Sequence, residues 1–244
     1  MEVNPSIFKG YDIRGRYPGE LDEEVARKIG QAFAALLCRG FGGQRPIVIA
    51  RDMRKSSPSL KTAILAGLFS QGAEVWDIGE VSIDVFYYAL GMFDVPGIMV
   101  TASHNPKEWN GFKVYKRNGE GVDPLRLRAF VEKPFTERGG GKVEVRDVLP
   151  EYVKKIRGFF GVESSRPART ITVVIDAGNG MMGKIVPLVL DPECIEGVDL
   201  ISLYFELDGN FPHHPPNPLE EENLRDLAAK VKETGADLGI AFDG

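Results

Sequence analysis

Within residues 95–115, VPGIMVTASHNPKEWNGFKVY, one hydroxyl stands among an imidazole, an amide and two cations. Ser103 is followed by His104, Asn105 and Lys107, and Lys113 lies a few residues further on. Such company suits the binding or transfer of phosphate, whose oxygens take hydrogen bonds and positive charge. A plain turn is the competing reading, because Asn105-Pro106 is a common chain breaker and Ser or Asn often caps a helix. A Ser-His hydrolase fits poorly. His104 directly follows Ser103, adjacent side chains rarely meet in general-base geometry, and the G-x-S-x-G elbow is absent.

The elements that must position these groups follow from the apolar pattern. Ile98, Met99 and Val100 form a continuous apolar run, as in a strand covered on both faces. Ser103 then stands beyond the strand's carboxyl end, where open α/β sheets bind ligands. Residues 22–37 place Val25, Ile29, Phe33, Leu36 and Leu37 on one helical face, with acidic residues in the first turn. A strand at 47–50 precedes a loop, a helix starting at Pro58 with Ser57 as its cap, a stop at Gly72 and a strand at 74–78, which together make a βαβ unit. Arg51, Arg54 and Lys55 in that loop invite a phosphate reading, but a structural role through Asp52 is the better one.

Beyond the serine loop the pattern predicts a returning strand at 113–115 and a helix from Asp123-Pro124 with Leu127, Phe130 and Val131 inward. A glycine-rich connection at 137–142 and a helix near 150–160 come next, then a polar linker at 163–167. The pattern then restarts: a strand at 171–175, a glycine-rich turn at 176–183, a helix at 184–190, a strand at 199–205, a helix opened by Asn217-Pro218, and a last strand at 236–242. The expectation is an α/β fold of two consecutive three-layer domains, with mixed sheets flanked by helices, at residues 1–150 and 151–244.

Composition narrows the function. A net charge of −5 and the lack of a basic cluster interleaved with aromatics argue against nucleic acid, and 43% hydrophobic residues support a packed core. Only Cys38 and Cys194 occur, far apart, and the three histidines include the adjacent pair His213-His214, so neither a disulfide framework nor a zinc site is indicated. There is no signal-like amino terminus and no run of about 18 apolar residues. A cytoplasmic protein without a membrane partner is expected. The turn at 176–183 lacks both the G-x-G-x-x-G pattern and the Walker Lys-Ser/Thr ending, so it reads as a structural turn.

Four segments in order, FKGYDIRG at 8–15, TASHNP at 101–106, DAGNGMMG at 176–183 and GIAFDG at 239–244, resemble the α-D-phosphohexomutases. The branch they resemble is that of the phosphomannomutases/phosphoglucomutases. The TASHNP segment is highly specific, and the opening Tyr11-Asp12-Ile13-Arg14-Gly15 resembles this branch more than the phosphoglucosamine branch. The resemblance implies transfer of a phosphoryl group between the 6- and 1-positions of a hexose phosphate through a hexose 1,6-bisphosphate. Ser103 would be the phosphoserine, Lys113 the lysine that acts as acid/base or stabilises developing charge, and Arg14 the arginine near the phosphate. Tyr11 and Asn105 would help bind the substrate or its phosphate.

From the residues alone Lys113 is a surface strand lysine, and His104 either bonds the substrate or braces its loop. Asp243 and the phosphate on Ser103 would hold a magnesium ion. Only the first carboxylate of the family's Asp-Gly-Asp-x-Asp-Arg loop falls within this sequence, so weak magnesium binding and no activity of this chain by itself are expected. A phosphoglucosamine mutase is the near alternative. A non-catalytic domain pair that joins a partner carrying the remaining domains is the other.

Overall fold

The structure is a computed structural model, and it describes residues 3–40, 46–160, 169–190 and 196–244. The linker at 163–167 and Cys194 lie outside the described residues. Two compact units emerge: Met1–Ala102 with Glu108–Val148, and Ser103–Lys107 with Leu149–Gly244. The serine loop therefore groups with the second unit although its flanking strands belong to the first.

The first unit runs β1 (Ile13–Arg16), α1 (Glu23–Gly40), β2 (Ile47–Arg51), α2 (Ser57–Ser70), β3 (Glu74–Glu80), α3 (Ile83–Phe93), β4 (Gly97–Val100), β5 (Trp109–Tyr115), α4 (Pro124–Val131) and β6 (Lys142–Val145). Its sheet has the order β1-β5-β4-β2-β3-β6, parallel from β4 through β6 and antiparallel at β5 and β1. Strand alternation sorts the side chains into two layers. Ile13, Ile47, Ile49, Ile98, Val100, Phe112 and Val114 join the core beneath α1, α2 and α4.

The opposite face of the sheet meets α3. A Cβ on Gly97 would lie 2.5 Å from Leu90 and 3.0 Å from Phe86 of that helix. Helices α1 and α2 approach at backbone distance through two glycines: a Cβ on Gly30 would sit 2.4 Å from the Ile64 carbonyl, and one on Gly67 2.1 Å from that of Arg27.

Several expectations shift in this unit. Residue Ser56, not Ser57, occupies the cap position of α2, and Ser57 turns its hydroxyl inward to the Asp52 carboxylate. Two of the loop cations are held in ion pairs, Arg51 with Glu80 and buried Arg54 at 3.4 Å from Asp52, while Lys55 is exposed. Helix α3 and strands β1 and β6 are additions to the sequence reading. In α3, Ser82 caps Val85 while Val85, Phe86, Ala89 and Leu90 turn inward.

The second unit runs α5 (Leu149–Phe160), β7 (Ile171–Asp176), α6 (Met182–Val189), β8 (Val198–Leu203), α7 (Arg225–Thr234) and β9 (Leu238–Ala241). Its sheet has the order β8-β7-β9, and its described strands are all parallel. The α/β class thus holds, with a mixed first sheet and a parallel second one. Val173, Ile175 and Val186 form the centre of the core. Helix α7 seats closely on β9, where a Cβ on Gly239 would meet Val231 at 2.9 Å. This helix starts later than Asn217-Pro218 implies. The side chain of Asn217 accepts from the Leu219 N–H and its carbonyl from Asn223, which holds the segment in turns and a short 3-10 helix (Glu221–Leu224) before α7 starts at Arg225.

Two outcomes test this packing. Gly67→Ala should destabilise the first unit by about 1–3 kcal/mol, because the methyl meets backbone that cannot step aside; denaturant unfolding measures it. In the second unit, the Arg169 guanidinium and the Thr172 N–H hold the Asp237 carboxyl down at about 2, below its ordinary 3.8. A depressed carboxylate contributes stability above the ordinary value and loses it as pH falls through the folded one. Asp237→Asn should therefore be less stable than the parent at neutral pH, with the difference closing between about pH 4 and pH 2 in pH-dependent unfolding.

Candidate functional site

In the second unit the chemistry-bearing groups gather around Asp243, just beyond the carboxyl end of β9. The Ser103 hydroxyl donates to one carboxylate oxygen. The His104 Nδ1 lies 3.0 Å from the other. Ser103 adopts φ +51°, a left-handed conformation that a non-glycine residue rarely takes. This turn directs the hydroxyl and the next residue's imidazole at the same carboxylate. Ser103, His104 and Asn105 are half-buried, and Lys107 is exposed.

Asp243 is held in turn by the glycine-rich segment. At its head, buried Asp176 accepts from the Gly178 N–H at 2.8 Å and lies 3.0 Å from His214 Nε2. Asn179, at φ +58°, donates to the Glu206 carbonyl at 2.9 Å and meets His213 Nδ1 at 2.8 Å, while the His213 ring stacks on Tyr204. A Cβ on Gly180 would sit 2.9 Å from the Gly244 Cα, so only glycine lets the backbone beside Asp243 pass there. The Phe242 N–H donates to Asp176 and the Gly244 N–H to Pro216. These contacts brace the turn. Its supports, His213 and His214, are marked by no local pattern, since their partners lie more than thirty residues upstream, at Asn179 and Asp176.

In the first unit, Arg14 of β1 stands opposite Gly111 of β5, and Lys113 opposite Met99 of β4. Positions 111 and 113 share a strand face, so Arg14 and Lys113 lie on the same side of the sheet, away from the main core. Gly111 is required there because a Cβ would reach within 2.3 Å of the Ile13 carbonyl and 3.0 Å of the Arg14 Cβ. Arg14 keeps a carboxylate beside it, Asp12 at 3.6 Å. Lys113 is half-buried, whereas Tyr11 is 97% exposed.

The base of β5 is pinned by buried polar groups. Asn110 donates to the hydroxyls of Ser56 at 2.7 Å and Ser57 at 3.0 Å, and Arg54 donates to the Trp109 carbonyl at 3.1 Å.

For a metal, the donors near Asp243 are a carboxylate and a hydroxyl, hard oxygens of the type magnesium takes. Among the described residues no group of three or more His, Cys, Asp or Glu side chains is arranged to hold an ion. The oxygens present suit magnesium in kind and supply part of a shell. Among the described residues, no helix is long and apolar enough to cross a membrane.

Apart from the serine loop at 103–107, which falls in the first match, the two units correspond to two consecutive domain families. Residues 5–136 match "Phosphoglucomutase/phosphomannomutase, alpha/beta/alpha domain I", and residues 150–244 match domain II of the same description. The chain belongs to the phosphoglucomutase/phosphomannomutase family of α-D-phosphohexomutases. It is 42% identical over 245 residues to a Pseudomonas aeruginosa protein named phosphomannomutase/phosphoglucomutase, covering 98% of this chain and 50% of that one. It is 37% identical over 252 residues to a Vibrio cholerae phosphomannomutase, covering 98% and 53%. The crystal structure of a Burkholderia thailandensis phosphoglucomutase/phosphomannomutase family protein superposes with a TM-score of 0.86 at 39% identity, covering 99% of this chain and 53% of that one. The chain thus spans about half the length of the relatives it matches.

Proposed function

We propose that this chain supplies the phosphoryl-carrying part of a phosphomannomutase/phosphoglucomutase. The observation that carries the reading is Ser103: its left-handed backbone points the hydroxyl onto Asp243, at the carboxyl end of a parallel strand. Family membership supports it. In the reaction, the bond between Ser103 Oγ and phosphorus breaks as a hydroxyl oxygen at position 1 or 6 of a hexose phosphate bonds to phosphorus. That hydroxyl gives up its proton, the Ser103 oxygen keeps the electrons of the broken bond, and a proton ends on that oxygen, which leaves a free serine hydroxyl. The product is a hexose 1,6-bisphosphate, and the reverse step at its other phosphate returns the phosphoryl to Ser103.

Lys113 serves as the acid/base group or neutralises developing charge, and Arg14 on the same sheet face adds a fixed cation. Asn105 and Tyr11 are assigned to substrate binding. His104, bonded to Asp243, braces the loop. Magnesium would be held by Asp243 and an oxygen on Ser103. When bound it supplies positive charge for the phosphoryl oxygens. Hexose recognition is assigned to the remaining half of the length found in the relatives. The reading takes mannose and glucose phosphates as substrates, with glucosamine phosphate as the competing one.

The test uses the protein at the length of its relatives. Incubation with a hexose 1,6-bisphosphate should phosphorylate Ser103, read by intact mass and peptide mapping, and Ser103→Ala should take up no phosphate. Lys113→Ala should lower turnover of mannose 1-phosphate and glucose 1-phosphate by about 100-fold or more in a coupled assay. A phosphate found only on another residue, with Ser103→Ala fully active, removes the reading. Turnover confined to glucosamine phosphate assigns the protein to the sister branch.

A further inference from the structure

Asp243, the carboxylate that meets the Ser103 hydroxyl, lies between two backbone amides that are both bonded. The Phe242 N–H donates to the Asp176 carbonyl at 3.0 Å, and the Gly244 N–H to the Pro216 carbonyl at 3.2 Å. The place of Asp243 therefore depends on the separation of Asp176 and Pro216. These two residues belong to segments remote in the chain, the head of the glycine-rich turn after β7 and the proline-rich stretch after β8.

His214 joins those segments. Its Nε2 lies 3.0 Å from Asp176 Oδ2, while Oδ1 of the same carboxylate takes the Gly178 N–H at 2.8 Å. The Asp176 side chain is 1% exposed and that of His214 14%, so water competes little for this bond. The other ring nitrogen, Nδ1, lies 2.9 Å from the Pro215 carbonyl, which sets the imidazole against the peptide that leads into Pro216. The ring also packs on the turn: a Cβ on Gly178, at φ +52°, would meet His214 Cε1 at 3.4 Å and Pro216 Cα at 3.9 Å.

The contacts close on themselves. They run from Asp176 through His214 and Pro216 to Gly244, across Asp243 to Phe242, and back to Asp176. Pro216 is buried, and a Cβ on Gly244 would lie 2.3 Å from the Pro216 Cβ, so the stretch carrying His214 cannot shift without moving the residue beside Asp243. His213 directs its contacts elsewhere, to Asn179 at 2.8 Å and to the ring of Tyr204, whose hydroxyl donates to Asp226 at 2.6 Å. Of the two adjacent histidines, His214 is the one bonded to the residue that holds Phe242.

We propose that His214 is a positioning residue for Asp243: its bond to Asp176 fixes the spacing of the Asp176 and Pro216 carbonyls and so directs the Asp243 carboxylate at Ser103. The consequence for turnover rests on the roles given above to Ser103 and Asp243. The placement of Asp243 does not.

The test compares two replacements in the protein at the length of its relatives. His214→Gln keeps an N–H able to reach Asp176, whereas His214→Leu fills similar space without one. Crystal structures of the dephosphorylated protein should show the Asp243 carboxylate displaced by about 1 Å or more in His214→Leu and in its original place in His214→Gln. Turnover of hexose phosphate should fall about 10-fold or more in the Leu variant, and Gln should recover most of it. The loss should lie in kcat, with KM within about twofold of the parent, because the bond serves the reacting groups and not the hold on the sugar. Should His214→Leu fail to fold, His214→Asn takes its place: its shorter amide fits beside Pro215 and stops short of Asp176, and the same displacement and loss are expected. An Asp243 carboxylate that stays within about 0.5 Å of its place in the variant lacking the bond overturns the proposal. A displacement that Gln shares overturns it too, as does full turnover in the Leu variant of an active parent. A parent with no mutase turnover removes the mutase reading and leaves the crystal structures to decide this proposal, so the two fail by different measurements.

Discussion

The first unit depends on a charge pair buried where α2 begins. Arg54 is 1% exposed and Asp52 3%, and placing two ions there costs several kcal/mol each unless their hydrogen bonds are met. Asp52 accepts from the Arg54 N–H at 3.0 Å and from the Ser57 hydroxyl. Ser57 and Ser56 accept from Asn110, and Arg54 reaches the Trp109 carbonyl. The network ties the β2–α2 turn to the first two residues of β5. A slip of one residue in β5 would strand these groups and turn Phe112 and Val114 out of the core. The same register fixes Lys113 opposite Met99 and Arg14 opposite Gly111. Polar groups far from water thus decide where the surface cations stand.

The second unit solves a related problem with backbone. Parallel strands β7 and β9 end side by side, with Asp176 opposite Ala241. Asp176 is spent on structure: it closes the turn over Gly178 and takes the His214 imidazole. That leaves Asp243, two residues past β9, as the carboxylate offered to the serine loop. Gly180 is the hinge of the arrangement, since any side chain there would displace Gly244. Two aspartates at neighbouring strand ends therefore differ in role because one is buried and the other is half-open.

Much of this was legible in the sequence, and for physical reasons. Ile98 to Val100 reads as a strand because a parallel strand buried on both faces has no alternation to confuse it. Helix α1 reads from its single apolar stripe. Helix α3 escaped the sequence reading: IDVFYYALGMF is apolar nearly all round, so no period stands out. Strand β6 escaped because all four of its residues are exposed. The start of α7 was misplaced because Asn217 satisfies nearby backbone groups and competes with the helix. Ser103, Lys113, Arg14 and Asp243 were named as candidates through resemblance. His213 and His214 were not, because their partners in the 176–183 turn are distant in sequence and only tertiary packing joins them.

How the site residues are mounted also matters for the proposed chemistry. Arg14 and Lys113 stand on paired strands, and Lys113 faces a packed helix, so each is held by a register that side-chain motion does not disturb. A cation that is to stabilise charge as it develops must already be in place, since reorganisation at that moment raises the barrier. Ser103 is mounted differently. It sits in a strained left-handed turn whose hydroxyl is anchored to a carboxylate, a place where exchange of that hydrogen bond for a bond to phosphorus needs no change in the strands. Under the proposed function, a net charge of −5 would be no obstacle to an anionic substrate, because local charge at the site and not the sum over the surface decides its binding.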